Sequence, residues 1–506
     1  MQIGEAKRLA EPFWRKKVLL FMAGGTWSVT DQPVLPGLYM NFVSAAGNAI
    51  QAGARGVVVA PVKAHWGPVG QFVEVGSEAA IRELFREDES EGATAFSTLY
   101  LALLGGPKKL LAYRLAGASA AEASVMLQDA SNAAALQVKA KYPGKRGNDF
   151  IVSIGASLSL PGSKELKLYE GTTLLRTFPL GDGSTVQAAE AVNGDPANAW
   201  IVAEALEDGV LADVSGAALT GGDSGIAGIT NAEYASALSA FETQDFHVLT
   251  LDGVSDAALR TSVVAWVKRV RGEGKGVIAV LGGSAADDTA ADAVAKTVAR
   301  SAAIDHEGVV NVGTGAVLNG RAYSSAQVAA WAAGLIAGQP LKASTTYAAA
   351  PFDDVTRRWT RSEQEQAVQG GVFLLVHDGR RVKALRGVNS LISPRVGQNK
   401  GWKKIRKIRV MDQINADLQR TAEDAYIGKV NNTEEGRLAL IGAGKQYLQA
   451  LAAENVIEAT GFDVTLDPRF YGSAPQFTPE DDQVFLAWTA DDTDVMEQIF
   501  GTFYVQ

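Results

Sequence analysis

Between positions 232 and 337 the sequence switches repeatedly between a helical and a strand-like pattern, and this alternation constrains the fold more than any other feature. Helices are predicted over 232–242 and 255–273, the second with Trp266 and Val267 on its apolar side. Further helices are predicted over 287–300 and 325–337. Strands are predicted between them, at 246–251, 276–281 and 309–312. A regular succession of this kind predicts a mostly parallel sheet covered by helices.

The flanking regions differ. Upstream, 55–61 reads as a short buried strand and 77–85 as a capped helix. A second helix at 96–104 is stopped by Gly105-Gly106-Pro107, and 110–115 returns as a strand. From about Ala118 to Thr220 the texture is that of a small all-β module. Residues 136–142 alternate strictly, 150–154 and 165–169 follow, and turn signals stand at Pro143-Gly144, Pro161-Gly162 and Gly181-Asp182-Gly183. Beyond Arg380 come hairpin-like strands, a basic stretch, helices over 410–429 and 434–454, and β-rich closing segments. Each end carries a strand-like run with no partner nearby: Leu38, Tyr39, Met40, Asn41 and Phe42 near the start, and Ile499, Phe500, Thr502, Phe503, Tyr504 and Val505 at the finish. Such runs pair with a distant segment or with another chain.

At 506 residues the chain is long enough for roughly three or four domains. A composition 47% hydrophobic and 20% charged supports sizeable cores without covalent staples. The net charge of -9 argues against a nucleic-acid partner. With no cysteine there is no disulfide, thiolate metal site or cysteine nucleophile, and only four histidines are available to an active site. No stretch approaches the ~20 apolar residues of a membrane span, so no membrane partner is expected. Arg15-Lys16-Lys17 followed by Val18-Leu19-Leu20-Phe21-Met22 looks like the start of a signal peptide, but Gly24-Gly25 closes the apolar run. Residues 1–21 are instead expected to be a flexible or spurious leader.

Several short motifs bear on chemistry. Gly222-Asp223-Ser224-Gly225 resembles the nucleophile loop of a chymotrypsin-type protease, and His65 lies upstream in the right order. Against a serine hydrolase using Ser224, an α/β block follows the serine and Ile226-Ala227 replace the glycines of that loop; a joint between domains is the better expectation. Gly442-Ala443-Gly444-Lys445 lacks the earlier glycine of a phosphate loop, where Ala439 stands, and its lysine is followed by Gln446. Gly313-Thr314-Gly315 follows a strand, but Leu318 occupies the third glycine position of a dinucleotide fingerprint. The histidines are isolated, and Asp287-Asp288 reads as a pair favoured by a helix N-terminus. No catalytic residue, cofactor or metal is expected. The strongest charge signal is 400–409, six of ten residues basic around Trp402. A nucleic-acid surface, a solvated strand, and a patch facing an acidic protein are the alternatives, the first least favoured by the overall charge.

Motifs in a fixed order then single out one family. Met22-Ala23-Gly24-Gly25-Thr26-Trp27 and Leu35-Pro36-Gly37-Leu38-Tyr39-Met40-Asn41-Phe42 form an arm-like start, with Leu35 where that family has arginine. Ala140-Lys141-Tyr142-Pro143-Gly144-Lys145-Arg146-Gly147-Asn148-Asp149, Leu219-Thr220-Gly221-Gly222, Arg409-Val410-Met411-Asp412, Tyr426-Ile427-Gly428-Lys429-Val430-Asn431-Asn432 and Asp494-Val495-Met496-Glu497-Gln498-Ile499 follow in order. From about Met22 onward the sequence resembles a contractile tail sheath protein of tailed bacteriophages and phage-tail-like particles, of the defective-prophage type of Gram-positive bacteria.

The resemblance implies an α+β multidomain fold: a small β-sandwich domain, a subtilisin-like α/β domain with a mostly parallel sheet, and an α+β C-terminal domain with extended terminal arms. The expected divisions are an N-terminal arm at 22–45, the first part of the α/β body at 46–117, and a protruding β-sandwich at 118–222. The subtilisin-like domain follows at 223–388, a tube-facing C-terminal domain at 389–494 and a C-terminal arm strand at 495–506. The implied protein is structural and not an enzyme. Its partners are other copies of itself in hexameric rings and a helical sheath, the tail tube protein, and baseplate and tail terminator proteins. Its location is a virion tail or tail-like particle assembled in the bacterial host cytoplasm. The two end runs are implied to be inter-subunit arms. Lys400, Lys403, Lys404, Arg406, Lys407 and Arg409 are expected to form or border the tube-facing surface.

Overall fold

The computed structural model describes Gly24–Gly25, Leu38–Tyr39, Ile50 and residues 56–505. At its centre is a seven-stranded sheet, ordered Val372–Phe373, Val309–Val312, Ile278–Leu281, Val248–Thr250, Val57–Lys63, Lys109–Leu115 and Phe72–Glu74. All neighbours are parallel except the last pair. The strands are almost wholly apolar because both faces are covered, as a parallel sheet requires. Alternation sorts the side chains by face. Val58, Ala60 and Val62 enter one core, with helices Ala95–Leu104 and Ser325–Gly338. Val57 and Val59 enter the other, with helices Asn231–Phe241 and Ala257–Gly272.

Helix Ser325–Gly338 is buried nearly all round, and glycine lets it approach Ala95–Leu104 closely. A Cβ on Gly334 would lie 2.1 Å from the carbonyl oxygen of Ala102. The helix expected over 287–300 is two, Ala285–Thr289 and Ala293–Ile304. The break has a tertiary cause. Asp287 and Asp288 do stand in the first turn of a helix, and Asp288 in addition turns inward, accepting from the Ser325 backbone N–H at 2.5 Å and its hydroxyl at 2.6 Å. Burial outweighs these bonds and pushes the Asp288 carboxyl up to about 6.

The β-sandwich is inserted between strands Lys109–Leu115 and Val248–Thr250. Its four-stranded sheet is ordered Thr173–Pro179, Lys164–Glu170, Phe150–Ala156 and Val214–Ala218; its three-stranded sheet is Ile201–Ala205, Ala134–Ala140 and Ser124–Gln128. Phe150, Leu166, Leu168, Leu136 and Val138 meet between them.

The C-terminal region packs helix Ile405–Thr421, which ends in a π turn at Ala422–Tyr426, against helix Glu434–Ala453. A hairpin of Asp463–Leu466 and Leu486–Thr489 completes it. The first helix begins earlier than expected and takes in part of the basic run. Lys400–Lys403 is a single 3-10 turn, so the run is helical and not a solvated strand. Val410, Tyr447, Leu448, Leu451 and Val464 form the core, joined by Leu341 and Ile50.

The ends differ from the rest. Leu38–Tyr39 pairs in parallel with Gly24–Gly25, within the arm itself, and Met40, Asn41 and Phe42 lie outside the described residues. The run expected as a strand at the C-terminus forms no ladder among the described residues.

Candidate assembly site

Ser224 stands where the sandwich rejoins the body. Its hydroxyl lies 2.8 Å from His65 Nδ1, and both residues are buried. His65 Nε2 faces the Ser90 carbonyl oxygen at 3.0 Å, and the Asp88 carboxylate is 3.9 Å away. The carbonyl assigns the ring proton to Nε2, so Nδ1 accepts the Ser224 hydroxyl proton. The Ser224 oxygen in turn accepts from the Lys145 backbone N–H at 3.0 Å. The residue types of a hydrolytic triad are therefore together. Yet the serine is 6% exposed, and its donor and acceptor roles are filled by the two domains it joins.

Around this bond the joint is closed largely through backbone. Arg114, fully buried, donates to the carbonyls of Gly67 at 2.6 Å, Pro143 at 2.7 Å and Ser224 at 3.5 Å. Burial pulls its guanidinium down to about 10. The two crossing strands touch at glycine, with Gly117 N–H donating to the Gly225 carbonyl at 3.0 Å. A Cβ on Gly144 would lie 2.0 Å from the His65 carbonyl oxygen. Trp66, from the body, sits edge-on to Tyr142 and Phe150 in the sandwich core.

The basic run is engaged within the chain. Lys407 pairs with Asp492 at 2.6 Å, and Lys404 pairs with Asp494 and, at 3.2 Å, with Glu497. Buried Arg406 donates to the Thr493 carbonyl and, at 3.3 Å, to the Val456 carbonyl. Lys403 reaches the Ile392 carbonyl at 2.6 Å and Arg409 the Gln339 carbonyl at 2.5 Å. Lys400 is exposed. Sequence reading missed the partners: Asp492, Asp494 and Glu497, with Arg386 and Thr346, which also hold Glu497 at 3.1 Å and 2.8 Å. The signal was there, as an acidic stretch near the C-terminus opposite in sign to the run.

Beyond Glu497 the chain leaves the body. Ile499, Phe500, Phe503, Tyr504 and Val505 are 83–89% exposed, and Thr502 is exposed with them. A soluble surface seldom strings apolar side chains so densely unless another molecule covers them. The hairpin Asp463–Leu466/Leu486–Thr489 is two-stranded, so each strand has one edge without a ladder partner among the described residues. Beside it a groove of about 510 Å³ is lined by Tyr426, Ile427, Val430, Leu440 and Val484.

The remaining motifs lie elsewhere. Gly442-Ala443-Gly444-Lys445 is mid-helix; Gly444 packs on Trp488, and Lys445 pairs with Asp463 at 2.7 Å. After Gly315 the chain turns into an antiparallel strand, Ala316–Leu318, where a dinucleotide site would open a helix. Among the described residues no group of three His, Asp or Glu side chains is arranged to hold a metal, and no helix is long and apolar enough to cross a membrane.

Three family descriptions match successive parts of the chain: phage tail sheath protein beta-sandwich domain over 116–224, central domain over 227–390, and C-terminal domain over 397–506. The chain belongs to the phage tail sheath family. Among relatives, YqbK of Bacillus subtilis (strain 168) is 30% identical over 454 residues, covering 86% of this chain and 89% of YqbK. The phage-like element PBSX protein XkdK of the same organism is 27% identical over 427 residues, covering 79% and 82%. Among solved structures, the sheath tail protein of Desulfitobacterium hafniense superposes with a TM-score of 0.68 at 27% identity, covering 91% of this chain and 98% of that one. The sheath fold accounts for the mixed architecture and gives the Ser224 loop its place, between the sandwich and central domains.

Proposed function

We propose that this chain is the repeating subunit of a contractile tail sheath. Copies stack as six-membered rings around a tail tube, and contraction drives the tube through a cell envelope. The work is stored in the lattice. The observation that carries this reading is the exposed apolar arm at 499–505, in a chain whose own hairpin has open edges among the described residues. Arms of neighbouring copies add strands to those edges and lay apolar side chains in the adjoining groove. Each backbone bond contributes ~0.5–1.5 kcal/mol net, so one arm is a weak link and a lattice of arms a strong one. The C-terminal domain faces the tube, and the sandwich projects outward. Since Lys403 to Arg409 are engaged within the chain, Lys400 is the residue of the basic run open to a tube contact. Baseplate and terminator proteins cap the two ends of the particle, a phage tail or tail-like device assembled in the host cytoplasm.

Truncation after Gln498 tests the reading. The shortened chain is expected to keep its circular dichroism and melting profile and to form no tubes or stacked rings in negative-stain microscopy. Tubes of unchanged length and number would overturn it.

A further inference from the structure

The first turn of helix Ile405–Thr421 breaks a local rule. It holds Arg406 and Lys407, with Lys404 at the cap and Arg409 just beyond, and no acidic residue, although a helix N-terminus is the positive end of its dipole. Natural sequences that violate a local preference compensate elsewhere. Here the compensation comes from the far end of the chain. The segment 492–497 runs antiparallel to the turn: Asp492 meets Lys407, Thr493 meets Arg406, and Asp494 meets Lys404. Glu497, its side chain 7% exposed, is then shared by Lys404, Arg386 and Thr346. Backbone pairing is thin: one isolated bridge, Ile457 to Asp492, in which Glu458 N–H donates to the Asp491 carbonyl. The next residues, Gln498 onward, are exposed. The root of the arm is thus held mainly by charged side chains, and the hold ends where the apolar run begins.

We propose that the basic run is an electrostatic clasp on the arm root, which fixes the direction in which residues 498–505 leave the body and releases them when its charges are screened or reversed. The clasp belongs to the single chain. Only what the arm does afterwards rests on the proposed sheath function.

The lack of cysteine makes the test direct, because Gln498→Cys gives one nitroxide site and Thr502→Cys a distal control. In the unassembled full-length chain the label at 498 is expected to be immobile in about 50 mM salt. It is expected to become several-fold more mobile in about 1 M, where the screening length is ~3 Å. Arg386→Glu with Lys404→Glu is expected to mobilise it at low salt, and adding Glu497→Lys to that double variant to reduce the mobility again. The label at 502 is expected to be mobile throughout. If reversal perturbs folding, Glu497→Gln tests the same contact at smaller cost. A label at 498 equally mobile at both salts, or still immobile after double reversal, overturns the clasp. These outcomes are independent of whether the truncated chain forms tubes, so the two proposals fail separately.

Discussion

The sandwich joint and the arm root both bring distant parts of the sequence together, by opposite means. At the joint the central bonds are buried and mostly end on backbone: Ser224 to His65, Lys145 N–H to Ser224, and the Arg114 guanidinium to three carbonyls, with the ion pairs Arg86–Glu170 and Lys145–Glu91 nearer the surface. Glycines bring the strands close enough that a single Cβ at position 144 has no room. At the arm root the bonds run between charged side chains near the surface. Salt barely reaches the first kind and screens the second. The joint is therefore expected to be insensitive to salt, and the proposed clasp at the arm root to respond to it.

The sharpest way to break this contrast is at Arg114. Arg114→Ala leaves three buried carbonyls without a donor and a cavity beside them. It is expected to cost about 3–5 kcal/mol and to expose the crossing strands near 117 and 222 to limited proteolysis. A smaller effect follows from Ser224→Ala, which removes one hydroxyl from two buried bonds: about 1–2 kcal/mol in the melting of the sandwich, with tube formation intact. Loss of assembly without loss of stability would mean that Ser224 has work beyond the joint.

The smallest expected change is at the clasp. Arg386→Glu with Lys404→Glu is expected to shift melting of the body by less than about 1 kcal/mol, while freeing the arm. Acid separates the regions as well. Burial works against ionisation of Glu497, but the Thr346 bond and the charges of Lys404 and Arg386 together hold its carboxyl below the usual range. Its contribution is therefore complete above about 4.5 and lost as pH falls through the lowered value. In the body Asp288 has the opposite sign: raised to about 6, it adds stability as pH falls from about 6 toward 4. His306, lowered to about 4 chiefly by burial, offsets this over the same range. Label mobility at 498 is expected to change below about pH 4.5, while Asp288→Asn alters the melting curve of the body between about 4 and 6.

Much of this was legible in the sequence, where the cause was local. Alternation along 232–337 gave the parallel sheet, and the strict period at 136–142 gave a sandwich strand, because burial on one or two faces writes itself into neighbouring residues. What escaped notice depended on distant residues. The split at Ala290 follows from Asp288 reaching Ser325. The use of Lys404, Arg406 and Lys407 follows from an acidic segment nearly ninety residues later. The spatial meeting of Ser224 and His65 was suggested by their order, but their burial was not, since nothing in either motif records what covers it.

The central sheet also dictates a schedule for its own synthesis. Strand Val57–Lys63 finds its inner neighbour, Val248–Thr250, only after about 190 further residues have been made. At roughly 5–20 residues per second, that is roughly ten to forty seconds on the ribosome. In that interval the whole sandwich is synthesised, and as a unit with its own core it can fold before the central sheet is complete.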